Sequence, residues 1–139
     1  MERNKKPDIS IPIIWPEDKG FECARISRVF NHRRPSRFPL AVVTVSSEED
    51  VKAAITLAKR LDSQVSIRSG GHSWAAWSVR DNAVLIDLVQ LNSISYDDST
   101  AIVTVGPATT GERLNSFLNT KGRMFNGPHC PSVGLGGFL

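Results

Sequence analysis

"LAVVTVSSEEDVKAAITLAKRLDSQVSI", residues 40–67, changes its rhythm twice. Residues 40–45 are an unbroken apolar, β-branched run, which suits a strand buried on both faces. Ser46, with Glu49 three residues on, has the form of a capping box. Behind it Val51, Ala54, Ile55, Ala58 and Leu61 make one apolar stripe, so the spacing predicts a helix over 47–61. Residues 65–67 return to a strand pattern. The stretch therefore predicts a strand–helix–strand unit with parallel strands and a right-handed crossover.

Toward the N-terminus, Cys23, Ile26, Val29 and Phe30 recur at helical spacing and predict a short helix over 21–30. That helix would turn Cys23 toward the core, as a structural rather than a reactive thiol. Pro35 and Pro39 end it. Lys5, Lys6, Pro7, Pro12 and Pro16 make residues 1–20 an extended leader. Toward the C-terminus, 84–88 reads as a strand, and 92–96 with 101–105 as a hairpin around "DDST". Thr109 and Glu112 suggest a second capping box, before a helix whose stripe is Leu114, Phe117 and Leu118 and whose stop is Gly122. Residues 123–139 are glycine-rich and loop-like, and Leu139 stands inside an apolar glycine motif, so further sequence is expected to follow.

Composition sets the class. Of 139 residues, 40% are hydrophobic and 22% charged, which is ordinary for a globular chain able to build a core. The net charge of +3 owes much to Arg25, Arg28, Arg33, Arg34 and Arg37, with His32 among them. A nucleic-acid patch is one reading of that cluster; a solvated rim is favoured, because no aromatic residues interleave as they do in single-strand binders. Two cysteines, Cys23 and Cys130, make neither a disulfide framework nor a zinc set. The polar N-terminus shows no signal peptide, and no apolar run reaches the roughly 20 residues of a membrane span. The expectation is a cytoplasmic protein without membrane or nucleic-acid partners.

The chemistry-bearing stretch is "RSGGHSWAAWS", residues 68–78, directly after the second strand. Gly70 and Gly71 can let successive backbone N–H groups converge into a nest for an anion such as a phosphate or pyrophosphate. Ser69 and Ser73 add hydroxyl donors, and Arg68 a charge. An ordinary tight turn is an equal reading of the glycines alone. The P-loop pattern is absent, and "GLGGFL" lacks the third glycine of a Rossmann fingerprint. His72, on a glycine hinge, could serve as base, metal ligand or nucleophile. The adjacent pair His129 and Cys130 is a poor ligand set, so no metal is expected.

Taken together, "VSIRSGGHSWAAWSVRDNAVLIDL" and "GPHCPSVGLGGFL" closely resemble the FAD-linked oxidases of the vanillyl-alcohol oxidase type. Within that group the chain is most similar to the berberine-bridge-enzyme-like branch and its fungal members, over residues 24–139. The resemblance implies an α+β fold, the N-terminal part of a PCMH-type FAD-binding domain made of two small α/β subdomains, over residues 21–139. It implies that the loop from Arg68 through Ser69, Gly70, Gly71 and His72 to Ser73 wraps the FAD pyrophosphate, chiefly by backbone amides. His72 matches the histidine that bonds covalently to the flavin 8α-methyl, and Cys130 the cysteine that bonds to C6 in bicovalent members. Val133, Gly134, Gly136 and Gly137 would lie along the cofactor. The chain departs from the pattern at Pro128, where relatives commonly carry a second glycine; proline fixes φ and removes one N–H, which bears on the approach of Cys130.

The implied function is that of an FAD-dependent oxidoreductase, an oxidase that takes hydride from a C–H beside a hydroxyl or amine of a small molecule and passes electrons to molecular oxygen. A dehydrogenase with another acceptor and a non-catalytic anion- or nucleic-acid-binding module are the alternatives. The substrate domain and catalytic base are expected beyond Leu139, and the 139 residues alone are expected to be inactive.

Overall fold

The computed structural model describes residues 10–139. The first part of the leader, residues 1–9, lies outside the described residues. The rest of it contributes a short strand, β1 (Ile13–Ile14), and leads to helix α1 (Phe21–Ile26). Then come β2 (Ala41–Thr44), α2 (Glu48–Arg60), β3 (Gln64–Arg68) and β4 (Ala83–Asp87). A hairpin of β5 (Ile94–Asp97) and β6 (Ile102–Val105) precedes α3 (Gly111–Asn119), and a single 3-10 turn spans Leu135–Gly137.

The first four strands form one sheet in the order β1-β2-β4-β3. The strands flanking α2 are parallel, as expected, but β4 sits between them and pairs with both. Every residue of β4 is buried, and this explains its "AVLID" composition. Alternation splits the sheet's two faces. Val43, Val84 and Ile86 pack with Ala54, Leu57 and Ala58 of α2, while Val42 and Leu85 pack with Phe21 of α1. A separate core joins Leu114 and Leu118 of α3 to Leu135, with Ile94, Tyr96, Val103 and Val105 of the hairpin around it. Two small subdomains, each with its own buried clusters, therefore build an α+β chain.

Local details correct several expectations. α1 ends at Ile26, so its buried residues are Phe21 and Arg25, and Cys23 is exposed. Arg25 occupies the inward position because its guanidinium finds Glu22 and the carbonyls of Pro35 and Arg37, at 2.7–3.0 Å. The N-cap of α2 is Ser47, not Ser46: Ser47 Oγ accepts from Asp50 N, and the Asp50 carboxylate accepts from the backbone N–H groups of Ser46 and Ser47. Leu57 rather than Ile55 belongs to the buried stripe.

The second capping box is also displaced. Thr110, not Thr109, caps α3 through Arg113 N. Thr109 is buried and donates to Ser93 O. Glu112 has no capping task, because the amides of Gly111 and Glu112 bond to the carbonyls of Val133 and Pro131. The C-terminal glycine motif thus supplies acceptors that a capping box would otherwise provide.

The arginine cluster divides. Arg33 and Arg34 are exposed. Arg25, Arg28 and Arg37 turn inward, Arg37 donating to the carbonyls of Ala75, Ala76 and Val79. Neither a continuous nucleic-acid patch nor a solvated rim describes it. Among the described residues no helix is long and apolar enough to cross a membrane.

Candidate cofactor cleft

The C-terminal ends of parallel strands are where α/β sheets place ligands. β3 and β4 end side by side at Arg68 and Asp87, and the glycine loop leaves the sheet there. Past that end runs a cleft of about 930 Å³. Its walls bring together Ser69, Gly70, Gly71, His72 and Ser73 from one segment with Pro128, Cys130, Val133, Gly134 and Gly137 from the other. Arg68 also borders it.

Two glycines make this geometry possible. Gly70 crosses Gly134 so closely that a Cβ on Gly70 would overlap the Gly134 backbone nitrogen. Gly71 has φ +76°, and a Cβ there would overlap the carbonyl oxygen of Arg28. Between the two subdomains, Ser69 Oγ donates to Pro107 O at 2.6 Å. The glycine segments are thus the joint of the molecule as well as its cleft.

The backbone N–H groups of Gly70, Gly71, His72 and Ser73 have no protein acceptor among the described residues. Such a run of free amides in a glycine loop is the donor arrangement an anion seat needs. The His72 ring is held from two directions. It stacks on Phe30 with centroids 4.5 Å apart and planes 13° apart, and its Nε2 lies 3.0 Å from Ser132 Oγ. Trp74 meets the same Phe30 edge-on at 5.5 Å and is itself 79% exposed. Cys130 is exposed on the opposite segment.

Two predicted residues stand apart. Gly136 does not line the cleft; it packs on Pro107, whose carbonyl accepts its N–H at 2.8 Å. The Arg68 side chain, 2% exposed, is turned inward to Asp87 and to the carbonyls of Ala24 and Arg25. Arg28 shares the same carboxylate and also donates to Ser69 O. Burial pulls the Arg28 guanidinium below its usual range, against the opposing pull of Asp87.

The sequence reading missed Phe30, Ser132 and Arg28 at this site. Phe30 was assigned to a helix stripe, and no local signal in the sequence couples residue 28 to residue 69. Pro128, the departure from the family pattern, lies with its ring against Gly111 at the start of α3.

These features suit a flavin dinucleotide. The donor set is made of backbone amides, which suit a pyrophosphate, and the glycines let the two loops that carry the cleft cross closely. Ile67, Phe30 and Trp77 give the cleft apolar and aromatic surface, and Ser66 Oγ, also at the cleft, is buried without a hydrogen-bond partner.

Comparison with known proteins agrees. The chain belongs to the FAD binding domain family, whose model matches residues 39–139. It is 44% identical over its whole length to FAD-linked oxidoreductase ptmO of Penicillium ochrochloron, and it spans 30% of that protein. It is 32% identical to the crystal structure of carbohydrate oxidase from Microdochium nivale in complex with substrate analogue, with a TM-score of 0.78 over 91% of this chain and 27% of that one. The BBE-like 1 variant D396N of Physcomitrella patens superposes with a TM-score of 0.81 at 24% identity, covering 92% of this chain and 28% of that one, and shows the same fold. The chain thus spans under a third of the length of these relatives.

Proposed function

We propose that this chain is the cofactor-holding part of an FAD-dependent oxidase, which removes hydride from a C–H beside a hydroxyl or amine of a small molecule and passes the electrons to oxygen. The observation that carries it is the convergence on one cleft of four acceptor-free amides, Gly70 to Ser73, with His72 and Cys130 on facing segments. The amides would take the pyrophosphate. His72 would bond the flavin at the 8α carbon, and Cys130 at C6, as an exposed thiol able to ionise. Bound FAD supplies the hydride acceptor. Phe30 and Ser132 fix the His72 ring, while Val133, Gly134 and Gly137 form the facing wall. The name of the Microdochium relative supports a carbohydrate-like substrate among small molecules.

Acid denaturation of the full-length protein tests the reading. Yellow colour is expected to stay with the precipitate, to survive His72→Ala or Cys130→Ala alone, and to be lost in the double variant. Flavin that passes wholly into the supernatant from the unmodified protein would sink covalent attachment. Peroxide formed in step with oxygen consumption would support the oxidase; turnover only with an artificial acceptor would reassign it as a dehydrogenase.

A further inference from the structure

The segment of residues 28–30 lies behind the glycine loop and grips it twice. Arg28 Nη2 donates to Ser69 O at 2.6 Å, and Phe30 N–H donates to Gly71 O at 3.2 Å. All peptides described are trans. In a trans peptide the carbonyl and the following N–H point in opposite directions. Holding Ser69 O toward Arg28 therefore turns Gly70 N–H away from it. Holding Gly71 O toward Phe30 turns His72 N–H away in the same sense. Both of these amides are among those without a protein acceptor.

Arg28 is itself held. Its Nη1 pairs with Asp87 Oδ1, which also accepts from Val89 N, while Asp87 Oδ2 accepts from Arg68 Nε and Nη2 at 3.0 and 2.6 Å. Two guanidiniums share one buried carboxylate, so one positive charge remains uncompensated within this group. It sits directly behind the loop, and the Arg68 side chain that shares the carboxylate is buried. Gly71 allows this closeness, since a side chain there would strike the Arg28 carbonyl.

We infer that Arg28 is a positioning residue for anion capture: braced by Asp87, it turns the Ser69 carbonyl out of the way, aims the Gly70 amide at the cofactor's phosphate oxygens, and lends the loop net positive charge. The inference rests on the flavin dinucleotide reading above and adds to it a residue that makes no contact with the cofactor.

The test uses the full-length protein carrying His72→Ala and Cys130→Ala, in which flavin binds reversibly. FAD, which has the pyrophosphate, and riboflavin, which lacks it, are titrated by flavin fluorescence. Adding Arg28→Met should weaken FAD roughly tenfold or more and leave riboflavin within about twofold, since a charge-assisted bond and its charge are lost. Arg28→Lys keeps the charge near Asp87 but cannot bridge both partners; it serves if Arg28→Met does not fold, and it should show the same selective loss in smaller measure. Val43→Ala, which injures the sheet core, should lower the melting temperature without changing the ratio of the two affinities. Equal weakening of both ligands, or unchanged FAD affinity in the Arg28 variants, overturns the inference. If neither the unmodified protein nor the double variant binds FAD, the flavin reading itself has failed, and this inference falls with it.

Discussion

Gly70 and Gly134 show what a single missing Cβ can decide. Each approaches the other's backbone within the space a methyl would fill. Gly70→Ala must therefore push two loops apart, and overpacking of this kind costs about 1–3 kcal/mol. In the full-length protein it should lower the melting temperature and reduce flavin content together; retention of wild-type flavin at wild-type stability would contradict the crossing. The glycines alone read equally as a tight turn, and it was the family resemblance that joined them with His72 and Cys130 into one candidate site. Arg68 and Arg28 were not legible. An arginine before a glycine loop reads as a phosphate ligand, whereas here buried Asp87 captures it, and only the register of β3 against β4 places that carboxylate opposite. Cys23 failed for a related reason: the helix is one turn shorter than its stripe suggested, and Arg25 found enough carbonyl and carboxylate partners to be buried instead.

Elements were read more securely than their ends. α2 emerged within a residue of the expected span because a strong amphipathic stripe outweighs small errors in capping. The cap moved by one residue because Asp50, not Glu49, reaches back to the free amides; those bonds, first among them that from Ser46 N, hold the Asp50 carboxyl below its ordinary range. The β5–β6 turn offers the clearer titration. Asp97 accepts from the Ser99 hydroxyl at 2.6 Å and the Ser99 amide at 2.8 Å, and hydrogen bonding by Ser99 and then Thr100 draws its pKa down to about 2. A carboxyl depressed in the folded state stabilises above its unfolded pKa, near 3.9, and loses that contribution as pH falls toward 2. A carboxyl-carbon NMR titration should place the Asp97 midpoint near 2, and Ser99→Ala should raise it; an Asp97 midpoint near 4 in the unmodified protein would show that the turn does not hold. Nothing in the sequence pattern ranked this aspartate above Asp98.

At the scale of the molecule, the elements of both subdomains were legible in hydrophobic patterns, one strand–helix–strand and one hairpin plus helix, while their grouping into two subdomains came from the family resemblance. Their joining was not legible. β4 enters between β2 and β3 although it follows both in sequence, and the C-terminal glycine motif returns to the start of α3. Both are long-range arrangements, for which local periodicity carries no signal. The crossing of Gly70 over Gly134 has a consequence in time. The crossing joins two loops far apart in sequence, a closure with a high entropic cost, so the cleft is expected to be among the last features to close. Flavin capture during refolding of the full-length protein should then proceed at a rate independent of FAD concentration once FAD is in excess, whereas a rate rising in proportion to FAD would mean the cleft precedes the crossing. A cofactor admitted so late would act as the final inspection of the chain: molecules whose two halves had docked wrongly would never turn yellow.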